Sequence, residues 1–290
     1  MVFATTEDGF VLEGLLITPR SNVGALPLVI LVHGMQKRFC EPEFVAIGRA
    51  LARRGYPFLT VNTRGHDLGA WFRTSTGFVL AGSAWEHFID CPFDIAAWTE
   101  FARGSGFASH VFVGVGYGAP KVVFYQAQRQ DRDTAGFVFV SSGTIIRDKI
   151  LNPSDPDTFA LAKKMIADGR GHELMPLGTV PDSQGSTVSA EVYANRDQIH
   201  REFYGEDSDI PPALAQIRQP IFVLYGSLAE RPGRHLPDFI EAIRRTAVQS
   251  PEVQAKIIDG ASNHMTGYED RAAGEIATWI DRVVAIPKAV

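Results

Sequence analysis

Cysteine is nearly absent: Cys40 and Cys91 are the only two in 290 residues. They make no disulfide framework and no metal-ligand spacing, and they read as small buried or half-buried groups. The histidines are scattered and no H-E-x-x-H occurs, so neither a zinc site nor any other metal or cofactor is expected. No run of about 18 apolar residues is present, and the N-terminus lacks a basic-then-apolar leader. The expectation is a soluble, cytoplasmic protein with no membrane partner. A formal net charge of −5 gives no basic surface for nucleic acid or anionic lipid. No internal repeat or low-complexity segment is visible. The composition that remains, 45% apolar and 21% charged, is that of an ordinary globular protein. The length suits one large α/β domain with an insertion, or two modest domains.

Along the chain, residues 2–6 and 10–18 flank Asp8-Gly9, a hairpin signal. Residues 26–32 form a continuous apolar run ending at His33-Gly34, as a strand buried on both faces requires. Phe44, Ile47 and Leu51 line one face of a helix that Gly55 closes. The next strand, 56–61, ends in Asn62-Thr63-Arg64-Gly65-His66-Asp67. The stretch 74–83 is rich in Gly, Ser and Thr and reads as an irregular loop. Ile95, Trp98 and Phe101 mark a helix, and 136–140 a strand that stops at Ser141-Ser142. Strands at 220–225 and 253–258 enclose a helix carrying Phe239, Ile240 and Ile243; Ile276, Trp279, Ile280 and Val283 give a closing helix. From 144 to 212 the signals are helical, broken by Pro, Gly and Ser, without a buried strand. The alternation of strand and helix predicts an α/β fold with a doubly wound, mostly parallel sheet. The core would comprise 1–143 and 213–290, with 144–212 as a helical lid.

The most informative stretch is 111–125. A β-rich run breaks into Gly114, Gly116 and Gly118 at alternate positions, then resumes as a helix with Val122, Val123 and Tyr125 on its apolar side. Strand, tight turn and helix have the spacing of a nucleophile elbow, G-x-S-x-G, with Gly116 where serine would stand. A dinucleotide cradle is disfavoured: the third glycine comes one residue early for G-x-G-x-x-G, and no acidic residue closes the next strand. In such a sheet, ligands gather at the carboxyl ends of the strands. There the chain places His33-Gly34-Met35, the 64–67 turn, Gly116-Tyr117, Ser141-Ser142, the 226–230 segment and Ala261-Ser262-Asn263-His264. His33-Gly34 is similar to an oxyanion loop, and 62–67 to an RGxxxS/D turn. With the elbow and His264 before the last helix, these make four features in order. Over about residues 8–285 the chain resembles the α/β-hydrolase superfamily.

The resemblance implies His264 as general base and an oxyanion hole made by the main-chain N–H groups of Met35 and Tyr117, whose side chain would face the cavity. It implies a small-molecule carbonyl substrate, beneath the lid and near His33, Gly34, Gln36, His66 and Trp85. Blander roles stand beside these: His33 as a structural hydrogen-bonding residue, Gln36 on a solvated loop, His66 as a solvated turn residue, Trp85 as packing under a loop. Arg64 and Asp67 are expected to tie their turn together. Two positions depart from the family. Gly116 carries no hydroxyl, and Ala229 stands where the family keeps its acid. Glu230 next to it either orients the histidine or is an exposed lid-side glutamate. Three accounts of Gly116 stay open: natural loss of serine with chemistry retained or altered, an engineered Ser→Gly change, and a non-catalytic relative that keeps the pocket for binding. The leading expectation is an enzyme, hydrolase-like or lyase, acting on an ester, a lactone or a C–C bond without a covalent acyl-serine. Ser141 and Ser142 lie beside the elbow, but neither is expected on an elbow of its own, so no replacement nucleophile is anticipated. A homodimer is compatible with this reading.

Overall fold

The expected opening hairpin is Val2–Thr5 (β1) and Val11–Ile17 (β2), an antiparallel pair turned at Gly9 with φ 95°. The computed structural model describes residues 1–20, 26–146, 155–180, 186–230 and 235–283. The order continues as Leu28–Val32 (β3), Pro42–Arg53 (α1), Phe58–Val61 (β4), Ala70–Thr74 (β5), Gly77–Ala81 (β6) and Cys91–Gly104 (α2). His110–Val115 (β7), Gly118–Arg129 (α3) and Thr134–Val140 (β8) follow. Pro156–Ala167 (α4), Ala190–Ala194 (α5) and Arg196–Glu202 (α6) lie in the predicted lid. Ile221–Gly226 (β9), Leu236–Thr246 (α7), Val253–Ile258 (β10) and Glu269–Val283 (α8) complete the chain. Among the described helices α1, α2, α4 and α7 carry proline at the first or second helical position. Its missing N–H would have had no intrahelical partner there.

Eight strands form one sheet in the order β1-β2-β4-β3-β7-β8-β9-β10. β2 is antiparallel to β1 and β4, and every other pair is parallel. Side-chain alternation sets the layers. Phe112 of β7 and Phe137 and Phe139 of β8 face the core under α2, α3 and α7. Val111, Val113, Val138 and Val140, one residue out of phase, face the core under α1 and α8. The central strands are thus buried on both sides, which is why they read as unbroken apolar runs.

The stretch 74–83 departs from its reading. β5 and β6 pair as a hairpin, Trp71 opposite Leu80 and Phe72 opposite Val79. The Gly, Ser and Thr content is concentrated in the turn at 74–77 and hides the flanking β-formers. Cys91 is buried, but Cys40 is exposed, because its neighbour Phe39 takes the inward position. In the 144–212 segment the described residues show helices and no strand of the main sheet. Ala162, Met165, Met175, Ala190 and Tyr193 give it a small core of its own. Among the described residues no helix is long and apolar enough to cross a membrane.

One buried group makes an acid-sensitive contribution to stability. His110 starts β7, its Nε2 3.0 Å from Thr134 Oγ1 and 4.0 Å from Asp131, and burial pushes its pKa down to about 4. The unfolded imidazole titrates near 6.5, so between those values the unfolded chain holds the extra proton and stability falls as pH falls. Measured against His110→Gln, denaturant unfolding of the parent should show about 1.5 kcal/mol more lost between pH 6.5 and 5. His110→Gln should flatten that slope; an unchanged slope would remove His110 as the cause.

Candidate active site

β7 ends at Val115 and α3 begins at Gly118, so Gly116 and Tyr117 make the whole turn, with Gly116 at φ 52°. The three glycines are not equivalent. A Cβ on Gly114 would lie 2.4 Å from Ala119 Cα, and one on Gly118 2.2 Å from Val32 O. Close strand–helix packing therefore demands glycine at both. A Cβ on Gly116 would meet only Gly34 Cα, at 3.9 Å. The middle position has room for a side chain; its constraint is the left-handed backbone, which costs a non-glycine residue about 1–2 kcal/mol.

β3 runs parallel beside β7 and delivers His33-Gly34 against the turn. A Cβ on Gly34 would stand 3.1 Å from Val115 O and 3.6 Å from Tyr117 N, so the loop is pressed onto the elbow. Among the described residues the main-chain N–H groups of Met35 and Tyr117 donate to no acceptor in the chain. Two unengaged donors on adjoining segments, beside the positive end of α3, can receive an anionic oxygen.

Behind this loop lies a buried polar chain. Lys121, fully buried in α3, places Nζ 2.6 Å from Glu86 Oε1 and donates to Thr63 Oγ1 at 2.9 Å. The Thr63 N–H donates to His33 Nε2 at 3.0 Å, so that nitrogen carries no proton. His33 Nδ1 then donates to Gly34 O at 2.7 Å. Burial, helped by the Lys121 charge, holds the His33 pKa well below its ordinary value. His33 is thus a neutral strut whose tautomer is set by Thr63. Gly65 completes the arrangement: a Cβ there would fall 2.0 Å from Glu86 Oε2. Sequence reading missed this pair. The available signal was a lysine on the apolar face of α3, sharing it with Tyr117 and Phe124 at helical spacing.

Other expected residues take mixed positions. Arg64 ties the turn after β4: its main-chain N–H and its Nε donate to Asp94 at 2.8 and 2.9 Å, and its two terminal nitrogens to Asp8 at 2.7 and 3.0 Å. His66 sets Nδ1 2.7 Å from Asp67 Oδ2 and packs its ring on Phe72, so it serves the turn. The Tyr117 ring is half-buried and packs beside Phe88, with Lys121 Nζ 5.6 Å from its centre. Trp85 donates Nε1 to His172 O at 2.8 Å, and Gln36, at φ 61°, donates Nε2 to Ser186 Oγ. Both therefore bind the 144–212 segment to the core. Loop 259–264 is packed on the end of β9, since a Cβ on Gly226 would lie 2.2 Å from Ala261 O. His264 on that loop is exposed, and its main-chain N–H donates to Ser262 Oγ at 3.3 Å. Glu230 is exposed and lies 4.0 Å from His235, with no ion pair to His264. Ser141, just past the end of β8, has a left-handed backbone with φ 50°.

A cleft of about 780 Å³ opens elsewhere, lined by Phe93, Thr99, Arg103, Arg129 and Asp131. It lies at the amino ends of the strands, since residues 131–133 lead into β8. Ligands of such sheets gather at the opposite ends.

No protein-family model and no curated protein matches the chain. Solved structures do. Est1E from Butyrivibrio proteoclasticus, with ferulic acid bound, is 14% identical at TM-score 0.69, covering 98% of this chain and 100% of that one. DcsB in complex with a substrate analogue is also 14% identical at TM-score 0.69, covering 98% of each chain. A highly thermostable carboxyl esterase from Bacillus coagulans, in complex with glycerol, is 12% identical at TM-score 0.64, again over 98% of each. Near-complete overlap in both directions, with this strand order, decides the architecture. The chain has the α/β-hydrolase fold. At these identities the likeness is one of fold alone. The turn after β7 and loops 33–36 and 261–264 lie at the same edge of the sheet, past the carboxyl ends of its parallel strands.

Proposed function

We propose that the chain is an α/β-hydrolase-fold enzyme that cleaves a small carbonyl compound, an ester or lactone first, using water in place of a serine nucleophile. The observation that carries this reading is the middle position of the turn: it has space for a side chain and none, beside two unengaged main-chain donors. The substrate carbonyl oxygen takes the Met35 and Tyr117 N–H groups. A water occupies the space at Gly116. His264 takes a proton from that water as its oxygen bonds the carbonyl carbon, then returns the proton to the leaving oxygen. No bond to the protein forms. The same donors stabilise an enolate, so C–C cleavage or elimination is the neighbouring chemistry. Residues 144–212 act as the lid, a role supported by their ties to Gln36 and Trp85. Ferulic acid in Est1E and a substrate analogue in DcsB support a small organic ligand.

A second reading, a non-catalytic binding protein, is favoured by the exposure of His264 and by Glu230 facing His235. An engineered Ser→Gly exchange is a third account of Gly116. Turnover separates the first two. Small aryl esters, lactones and β-diketones should be processed without any mass increase of the intact protein, and His264→Ala should lower kcat by about 10²–10⁴-fold. Ligand binding without turnover in either protein would establish the binding reading.

A further inference from the structure

The neighbour of Gly116 on the next strand is Ser141. β7 and β8 run parallel with Val115 opposite Val140, and the Gly116 N–H donates to Val140 O at 2.9 Å. The next residues along, Gly116 and Ser141, therefore sit side by side just past the ends of neighbouring strands. Both have left-handed backbones, φ 52° and 50°. Glycine adopts that conformation freely, but serine is strained in it. The Ser141 N–H is engaged, donating to Leu224 O at 3.0 Å, so the sheet end holds the strained backbone in place. The side chain is different. Ser141 Oγ is buried and has no hydrogen-bond partner among the described residues. Buried hydroxyls are nearly always bonded, and an unmatched one points to a water or ligand partner. A Cβ on Gly116 would have only Gly34 Cα within 4 Å, so every atom of Ser141 stays farther from that point.

We propose that Ser141 holds the attacking water in the space beside Gly116. This rests on the water-dependent reading above. The Ser141 Oγ accepts one O–H of the water. The other proton passes to the His264 imidazole as the water oxygen bonds the carbonyl carbon. The ester C–O bond then breaks, and the leaving oxygen receives that proton. Ser141 keeps its own proton and forms no bond to substrate, so its hydroxyl works without covalent chemistry.

The test is Ser141→Gly, which removes the hydroxyl while relieving the left-handed backbone, so a fold defect does not mimic the effect. Ser142→Ala is the control, because Ser142 Oγ is also buried and unpartnered but follows the register pair. Ester hydrolysis by Ser141→Gly should show kcat lower by about tenfold, the range of one neutral hydrogen bond, with KM held and the melting temperature not lowered. Ser142→Ala should match the parent. Binding of methyl phenylphosphonate, a tetrahedral anion, measured by calorimetry, should weaken by a similar factor in Ser141→Gly alone. If the parent hydrolyses esters and Ser141→Gly retains both its kcat and its phosphonate affinity, the proposal is overturned. An acyl adduct mapped to Ser141 overturns it too, by making Ser141 the nucleophile. An inert parent whose phosphonate binding still depends on Ser141 supports the hydroxyl's placement while ending the hydrolytic reading. Failure of the phosphonate to bind any of these proteins overturns the placement itself.

Discussion

Gly116→Ser should fold and become covalently reactive. Incubation with an aryl fluorophosphonate should give stoichiometric labelling at residue 116, where the parent shows none by intact-protein mass spectrometry. The reason is steric. The backbone already has φ 52°, and the added Cβ would meet only Gly34 Cα at 3.9 Å. The new hydroxyl would stand beside the free N–H groups of Met35 and Tyr117. The cost in stability is that of a left-handed non-glycine residue, about 1–2 kcal/mol. Labelling should slow by about 10²–10⁴-fold when His264→Ala is added, since an unassisted serine hydroxyl is a poor nucleophile. A well-folded Gly116→Ser that resists labelling would show that no base reaches the turn, and the hydrolytic reading would lose its general base with it.

The largest stability effect should come from Lys121→Met. Lys121 is fully buried and faces the equally enclosed Glu86 at 2.6 Å. Removing the ammonium leaves a buried carboxylate without its counter-charge, a loss of about 3–5 kcal/mol. For a chain of this length that is a fall of roughly 10 °C in melting temperature. The double change Lys121→Met with Glu86→Leu should recover most of it, because removing both charges removes the desolvation problem. If single and double variants melt alike, the pair is not coupled in this way. The same single change takes a donor from Thr63 and a nearby charge from His33, so the loop carrying Met35 should loosen along with the fold.

What the sequence made legible was what repeats or breaks rules locally. The apolar β-rich runs of β7 and β8 and the glycine triplet at 114–118 are local patterns, and the structure places both in the centre of the sheet. The hairpin at 70–81 was hidden because its polar turn outweighs short flanking strands in composition. The Lys121–Glu86 pair joins two segments with no spacing rule between them. The left-handed Ser141 could not be read either, since serine carries no preference for that conformation; only the sheet end imposes it. Glu230 shows the converse problem. Its nearness in sequence to the expected acid position says nothing of where a side chain after a tight turn will point, and it faces His235.

The contacts at Gly114 and Gly118 bear on the history of the site. They fix the shape of the turn through packing against Ala119 and Val32, with no contribution from whatever stands at 116. A chain that lost its reactive side chain there would keep the turn intact, because the selection holding the turn is selection for a folded protein. Serine and glycine are also a single base apart in some of their codons. The scaffold would therefore keep serine chemistry one substitution away for as long as the protein needs to fold, whether or not that chemistry is in use.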